Sequence, residues 1–466
     1  MKHLKYLTLA FLMVLMTARA AGPSIQAAAL PDAVRGKQIA EMKFGMFVCW
    51  SFSTFSQHEW TPTHDKDASF FKATHCDTDQ WCQAAKDAGM GYILFLTKHH
   101  DGFCLWDTHT TDKKITNSPL QRDVLADLRK SCDKSGIKLA IYFSEGDWNW
   151  PGAVDGGGQM GGSNPEMKKA QLKELLTNYG PIEFIWFDHA VGDGGLNHAD
   201  TDKWVRSFQP NCFSGYNNGE AGGRIVLREK GKPGPIGGDG LNWNASQGTN
   251  EKKYPYTAAE FTYPILPHHG GPGAEWFYAV PALDNSCLPA MHIYMDYLGA
   301  VKYGNIFSID VGPDYTGKLR AIDVKTLHEV GQMIRGEVKV PVPIDGSASA
   351  SSTWLQAGYD AQKANDHDPA TRWGGAANCR SAWLQIDLGG ECPVSRAVID
   401  EAGFDRVTKF ELLARTNGSW QTIVTGTTIG SDMSITFPSP VKARQFRLNI
   451  LEASEVPTIS EFQLFE

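Results

Sequence analysis

Glu183-Phe184-Ile185-Trp186-Phe187-Asp188 decides how this chain folds. An apolar, aromatic run delivers a single carboxylate, and a loop rich in Gly, Asp and Asn follows over 192–197. A parallel strand buried on both faces reads as a near-continuous apolar run, and in a barrel enzyme the working group sits at its carboxyl end. The chain does the same much earlier, where Tyr92-Ile93-Leu94-Phe95-Leu96-Thr97 runs into Lys98-His99-His100-Asp101-Gly102-Phe103. Two strands ending in dense polar clusters imply one site built on several strand tips.

Working outward, strand-like and helix-like segments alternate from 37 to 340. Residues 44–50 read as a strand. Asp77 is the expected N-cap of a helix carrying Trp81, Ala84, Ala85 and Ala88, closed by Gly89 or Gly91. A helix over 124–134 ends at Gly136, and 138–144 is the third strand. Asn164-Pro165-Glu166 opens another helix, which Gly180 stops. In the second half, 212–216, 258–261 and 305–310 are strand candidates, while the Gly-rich stretches 152–162 and 231–240 read as long loops. This alternation predicts a (β/α)8 TIM-like barrel over 30–340 as the catalytic domain. The pattern changes near Val338-Lys339-Val340-Pro341-Val342-Pro343. Short alternating strands follow, at 383–388, 410–414 and 445–450, and predict a β-sandwich over 345–466.

Composition agrees. A chain of 466 residues is too long for one ordinary core, and 42% apolar with 21% charged content excludes disorder. A net charge of -8 leaves no basic field, which argues against nucleic acid as a partner. At the N-terminus Met1-Lys2-His3-Leu4-Lys5 is basic, 6–16 is apolar and Ala18-Arg19-Ala20 is a small-x-small cleavage pattern. A signal peptide over 1–20 is expected, hence a secreted or periplasmic protein. That apolar run is too short to span a bilayer and no other is long enough, so no membrane span is expected. The nine cysteines show no metal spacing, so no metal site is expected. Export makes a disulfide between Cys379 and Cys392 a candidate.

A retaining glycosidase needs two carboxyl groups about 5–5.5 Å apart, one to attack the anomeric carbon and one to give and take a proton. Imidazole and indole suit the remaining task of holding hydroxyls and an apolar sugar face. Strand ends and the segments after them supply such groups: Glu59, Trp60, His99, His100, Trp106, Asp147 and Asp188.

These residues carry a resemblance. Lys43-Phe44-Gly45-Met46-Phe47, Glu59-Trp60, Thr97-Lys98-His99-His100-Asp101-Gly102-Phe103 with Leu105-Trp106-Asp107, Arg122-Asp123-Val124, Trp186-Phe187-Asp188 and Val311-Gly312-Pro313-Asp314 look, in this order, like glycoside hydrolase family 29, the α-L-fucosidases. The resemblance implies double displacement on a (β/α)8 barrel without a cofactor, acting on a fucosylated oligosaccharide or glycoconjugate. Asp188 would be the nucleophile. His99 and His100 would contact fucose hydroxyls, and Glu59, Trp60, Trp106 and Trp186 would help bind the sugar. The acid/base stays open between two residues. Glu229 ends Arg224-Ile225-Val226-Leu227-Arg228-Glu229, which follows the strand candidate 212–216 and resembles the acid/base stretch of the α-1,3/1,4-acting branch. Glu260, in Ala258-Ala259-Glu260-Phe261, resembles a second recurring carboxylate; Glu220 and Glu145 stand further out.

One departure matters. The family has His before Trp or Phe in its first strand, and here the pair is Cys49-Trp50. A thiol is a weak donor, so a hydroxyl contact is lost or comes from His58 or His75. A related exoglycosidase with another sugar preference, and a sugar-binding homologue without turnover, are the alternatives. Near the C-terminus, Ala364-Asn365-Asp366-His367-Asp368-Pro369-Ala370-Thr371-Arg372-Trp373 and Trp383-Leu384-Gln385-Ile386-Asp387-Leu388-Gly389 resemble a discoidin (coagulation-factor type C) domain. Such domains often bind galactose-type sugars, which implies a second sugar ligand there.

Overall fold

The computed structural model describes residues 28–157, 161–188, 192–217, 222–234, 257–267, 275–277, 281–356, 358–367, 371–401, 403–431 and 433–466. The expected signal peptide, Glu220 and parts of both Gly-rich stretches lie outside the described residues. The chain divides into two compact units, one up to Glu329 and one from Val330.

Eight strands make the first unit's sheet: β1 (Phe44–Val48), β2 (Tyr92–Lys98), β3 (Lys138–Ser144), β4 (Phe184–Asp188), β5 (Phe213–Tyr216), β6 (Ile225–Glu229), β7 (Ala258–Pro264) and β8 (Ile306–Asp310). Their order is β5-β4-β3-β2-β1-β8-β7-β6, and every pairing is parallel. The sheet is a nearly closed barrel. At the β5/β6 seam, the Arg224 amide donates to the Ser214 carbonyl at 2.8 Å. Gly215 lets the two strands come this close, since a Cβ there would lie 2.6 Å from Leu227 Cγ and 2.7 Å from the Ile225 carbonyl oxygen. Every residue of β1, β2 and β8 is buried, which is why these strands read as unbroken apolar runs.

Helices α1 (Asp32–Ala40), α2 (Phe52–Ser56), α3 (Thr78–Asp87), α4 (Val124–Ser135), α5 (Pro165–Asn178), α6 (His198–Phe208), α7 (Ala290–Tyr303) and α8 (Ala321–Ile334) complete the barrel. Four start where a side chain occupies an orphan amide. Asp77 accepts from Gln80 N at 3.0 Å, Asp123 from Ala126 N at 2.8 Å, Asn164 from Met167 N at 3.1 Å and Asn197 from Asp200 N at 2.9 Å. Each cap contributes about 1 kcal/mol to its helix. Gly136 closes α4 at φ 72°, a conformation that favours glycine. Among the described residues no helix separates β5 from β6. The run 225–229, expected to follow a strand, is itself β6; its alternation is masked because it is buried at its start and polar at its end. No described helix is long and apolar enough to cross a membrane.

The second unit is antiparallel. β9 (Ser347–Ala350), β11 (Ala382–Asp400), β12 (Val407–Thr416), β13 (Ser419–Gly426), β14 (Met433–Ala453) and β16 (Glu461–Phe465) form one sheet in the order β13-β12-β14-β11-β16, with β9 pairing β11; β10 (Trp373–Gly374) pairs β15 (Thr458–Ile459). The two longest strands, β11 and β14, pair along two separate stretches with register shifts between them. Trp373, Leu384, Ile386, Phe410, Leu412, Phe446 and Leu448 are fully buried in one core.

All nine cysteines are free, which corrects the expected Cys379–Cys392 disulfide. Cys379 precedes β11, whereas Cys392 lies well along it, opposite Ala443. A strand rising about 3.3 Å per residue carries them far beyond the roughly 7 Å Cα separation a disulfide tolerates.

Candidate active site

The carboxyl ends of six of the eight strands, β1 to β4, β6 and β7, line one cavity of about 130 Å³. β1 leads into Cys49, β2 into His99 and His100, and β3 contributes Tyr142. β4 supplies Trp186 and Asp188, β6 ends on Glu229, and β7 contributes Thr262. Glu59 and Trp60 come from the segment after α2, and Trp276 and Phe277 from a segment between β7 and α7. Trp186 and Asp188 share the inward face of β4 because side chains alternate along a strand.

Among the carboxylates that line the cavity, Asp188 accepts two side-chain hydrogen bonds. Tyr142 OH donates to its Oδ2 at 2.7 Å, and Asn217 Nδ2 donates to its Oδ1 at 3.1 Å. His100 Nε2 stands 3.6 Å from Oδ2. Its backbone carbonyl accepts from the Glu145 amide at 2.8 Å, which ties the end of β4 to that of β3. Ser144 Oγ donates to the Gly146 carbonyl at 2.7 Å and lies 2.6 Å from His100 Nδ1. The serine proton is thereby committed, so Nδ1 is the donor in that contact and the ring is fixed with Nε2 toward Asp188.

The same Asn217 nitrogen lies 3.1 Å from Glu229 Oε2. Two contacts of 3.1 Å to one atom cap the separation of the two carboxylate oxygens at about 6 Å, twice that length. Burial, and then the charge of Asp188, raise the pKa of Glu229 above its ordinary value. Glu59 is pushed up to about 8 by burial and then by Glu229. Cys49 is a buried thiol whose pKa is raised by burial and then by Asp310, to which it hydrogen-bonds. His99 is held well below the usual imidazole range by burial and then by its neighbour His100, so its ring is neutral. Its Nδ1 is buried without a hydrogen-bond partner. A ligand hydroxyl would supply one.

Of the residues expected from sequence, Asp188, Glu229, Glu59, Trp60, His99, His100 and Trp186 come together at the cavity. Two do not line it. Glu260 is fully buried behind Trp186, whose Nε1 donates to Glu260 Oε2 at 3.0 Å. Burial pushes Glu260 up to about 8. Trp106 is also fully buried, and its Nε1 donates to Glu174 Oε2 at 2.9 Å. Neither His58 nor His75 lines the cavity where the departure at Cys49 would need a substitute. Asp147 lies 3.5 Å from the buried ammonium of Lys98, away from the lining. Glu145 is fully buried against Lys168 at 2.6 Å and His198 at 3.0 Å.

Sequence reasoning passed over Tyr142, Asn217, Trp276 and Phe277. Asn217 follows directly on Tyr216, the last residue of β5, so the strand-end rule that found Asp188 applied there too. Tyr142 sits inside a strand and carries no such signal. Among the described residues no group of His, Cys, Asp and Glu side chains is arranged to hold a metal ion.

Comparison with known proteins adds kinship. A family model described as Alpha-L-fucosidase matches residues 26–337, and one described as F5/8 type C domain matches 347–462. Alpha-L-fucosidase 1 of Arabidopsis thaliana is 27% identical over 441 residues, covering 90% of this chain and 84% of its own. A crystal structure of a glycoside hydrolase 29 family member from an unknown rumen bacterium is similar at 25% identity and TM-score 0.56, over 94% of this chain and 77% of that one. A Ruminococcus gnavus fucosidase of the same family, solved in complex with fucose, shares the fold at 20% identity and TM-score 0.54, over 95% and 96%.

Proposed function

The chain belongs to the alpha-L-fucosidase family of glycoside hydrolases, and from that premise we propose that it is a secreted, retaining, exo-acting α-L-fucosidase that removes terminal fucose from fucosylated glycans. In the first step Asp188 forms a bond to the anomeric carbon as the glycosidic bond breaks, and Glu229 gives its proton to the leaving oxygen. In the second, Glu229 takes a proton from water, the water oxygen bonds to the anomeric carbon, and Asp188 leaves as a carboxylate.

The observation that carries this reading is the bridge made by Asn217. A separation of the two carboxylate oxygens capped at about 6 Å suits direct attack, whereas inversion needs about 6.5–9.5 Å to seat a water. Glu229 suits the acid role because burial and the Asp188 charge favour its protonated form. Glu260 lies behind Trp186 and off the cavity, which favours Glu229 in that role. A cavity of about 130 Å³ is small beside the roughly 300–1,000 Å³ of sites for larger ligands, which supports recognition of one terminal ring. His99, His100, Glu59, Trp60 and Trp186 surround that ring, and Trp106 supports the barrel from behind.

Proton NMR of the first-formed fucose tests the stereochemistry: retention is expected, and inversion would sink the mechanism. Asp188→Ala should abolish turnover and recover it with azide. On an activated aryl fucoside, azide should rescue Glu229→Ala but leave Glu260→Ala unchanged. The thiol at Cys49 favours a second reading, in which the hydroxyl preference has moved; hydrolysis of another aryl glycoside in preference to the α-L-fucoside would establish it. Export is supported by the segment 1–20, and N-terminal sequencing of the mature protein should begin near Ala21.

A further inference from the structure

A second cavity, of about 460 Å³, lies wholly within the antiparallel unit, in the size range of sites that hold a small ligand. Trp354 and Tyr359, both half-buried, form its aromatic wall. Three guanidinium groups line it, Arg372, Arg380 and Arg406, against one carboxylate, Glu455. This excess is local, because residues 330–466 as a whole hold 12 Lys and Arg against 16 Asp and Glu.

The cations differ in what they have to do. Arg406 is engaged, with Nη2 3.1 Å from Glu455 Oε2 and Nη1 donating to the Val456 carbonyl at 3.0 Å. Arg372 is held by aromatic faces, 5.1 Å from the ring of Tyr359 and 5.1 Å from that of Phe404. Stacking of this kind fixes the guanidinium plane without neutralising its charge. Among the described residues Arg380 hydrogen-bonds only to the Cys379 carbonyl, at 3.4 Å. Among the described residues no carboxylate pairs with Arg372 or Arg380.

Two buried polar atoms in the lining also lack hydrogen-bond partners: Arg372 Nε and Thr458 Oγ1. Thr458 is only 6% exposed. A buried polar atom left unpaired costs free energy, and an acceptor-rich ligand entering the cavity would recover it. The aromatic wall suits the apolar face of a pyranose, and the two uncompensated guanidiniums suit a planar or tetrahedral oxyanion, which they can grip in bidentate fashion.

We propose that this cavity is a binding site for an acidic sugar, a pyranose carrying a carboxylate or a sulfate, with Arg372 and Arg380 on the oxyanion and Trp354 and Tyr359 against the ring. This departs from the neutral galactose-type ligand that the discoidin resemblance implies. It is also independent of the barrel chemistry, because every residue invoked lies beyond Val330.

Calorimetry on the full chain tests it with D-galacturonate, D-galactose 6-sulfate and D-galactose. Binding of either acid, with galactose about tenfold weaker or more, is the expected result, and which acid binds assigns the oxyanion. Arg372→Gln and Arg380→Gln should each weaken that binding about tenfold or more while aryl α-L-fucoside hydrolysis stays at its original rate. Arg380 is exposed, so its variant keeps the test sound if Arg372→Gln folds poorly. Galactose binding as tightly as the acids would overturn the proposal. So would failure of both acids to bind, or variants that bind unchanged. Leu355, 98% exposed in the segment between Trp354 and Tyr359, makes a lipid surface the rival occupant. Sedimentation with phosphatidylserine vesicles that neither acidic sugar competes away would decide for the lipid and against the sugar.

Discussion

Replacing Asp188 by Asn removes a charge and almost no volume, so it isolates one electrostatic quantity. Glu229 is raised first by burial and next by the Asp188 charge, and the two carboxylate oxygens lie within about 6 Å of each other, twice the 3.1 Å to Asn217. Two unit charges at that distance interact by about 3 kcal/mol at an effective dielectric constant of about 20. The Asp188→Asn variant should therefore titrate Glu229 lower, with the contribution from burial still in place. Carbon-13 NMR of protein labelled at the glutamate carboxyl carbon measures this, with Glu229→Gln identifying the signal. The shift has a mechanistic meaning. In the proposed mechanism Asp188 would become an ester in the glycosyl-enzyme and lose its charge in the same way, and Glu229 would turn from proton donor to proton acceptor between the two steps. A fluorinated fucoside that traps the intermediate should reproduce the fall. A Glu229 midpoint unmoved by Asp188→Asn would show that the two charges do not face each other, and would refute the pairing.

Stability should fall as pH rises. Glu59 and Glu260 hold their protons to about 8 in the fold against an ordinary 4.5, so the unfolded chain releases them first. Their contribution is fully present below 4.5 and is lost as pH climbs to about 8, by about 1.4 kcal/mol per pH unit for each group. Urea unfolding of Glu260→Gln across that window should show a slope shallower by one group's share, and an unchanged slope would count against it. Without any reductant, all nine thiols should react with a chromogenic disulfide in denaturant, while Cys49 stays protected in the native protein because burial raises its pKa; fewer than nine would reveal a disulfide. Gly215→Ala places a Cβ against the Ile225 carbonyl oxygen and should cost about 1–3 kcal/mol in thermal or urea unfolding, and a neutral result would mean the β5/β6 seam is looser than described. Trp106→Phe loses the bond to Glu174 and should lower stability by about 1–3 kcal/mol with KM unchanged; a raised KM would place Trp106 in the sugar site after all.

What could be read from the sequence was whatever is local. The caps at Asp77 and Asn164 and the stop at Gly136 involve contacts within a turn or two, so residue type and spacing reveal them. Asp188, His99 and His100 stood out because apolar strands end on them. The different placements of Glu229 and Glu260 were hidden, because both lie in β-strands and only the assembled barrel puts one in the cavity lining and the other behind Trp186. The placement of Trp106 off the cavity was hidden for a related reason. An indole in a polar motif suits a sugar pocket and a buried hydrogen bond equally well, and its partner, Glu174, is 68 residues away. Asn217 was missed although it abuts a strand, because an amide suggests no chemistry until two carboxylates are seen to share it.

The cavity concentrates acids. Glu59, Asp188 and Glu229 line it, Asp310 hydrogen-bonds to the lining thiol of Cys49, and no Lys or Arg is among the described lining residues. Such a site would be self-repelling if every carboxyl were charged, and the fold deals with this unequally. Glu59 and Asp310 are driven toward their neutral forms chiefly by burial. Tyr142 OH donates to Asp188, whereas Asn217 Nδ2 is shared between Asp188 and Glu229. In the proposed mechanism an oxocarbenium-like transition state would bring positive charge into this same space, beside a described lining that holds acceptors and no Lys or Arg. In that setting the Cys49–Asp310 pair is more than a missing imidazole. A histidine there would add a ring that can carry a proton, whereas burial keeps the thiol neutral, so on this proposal the position after the first strand would add no positive charge as the sugar acquires its own.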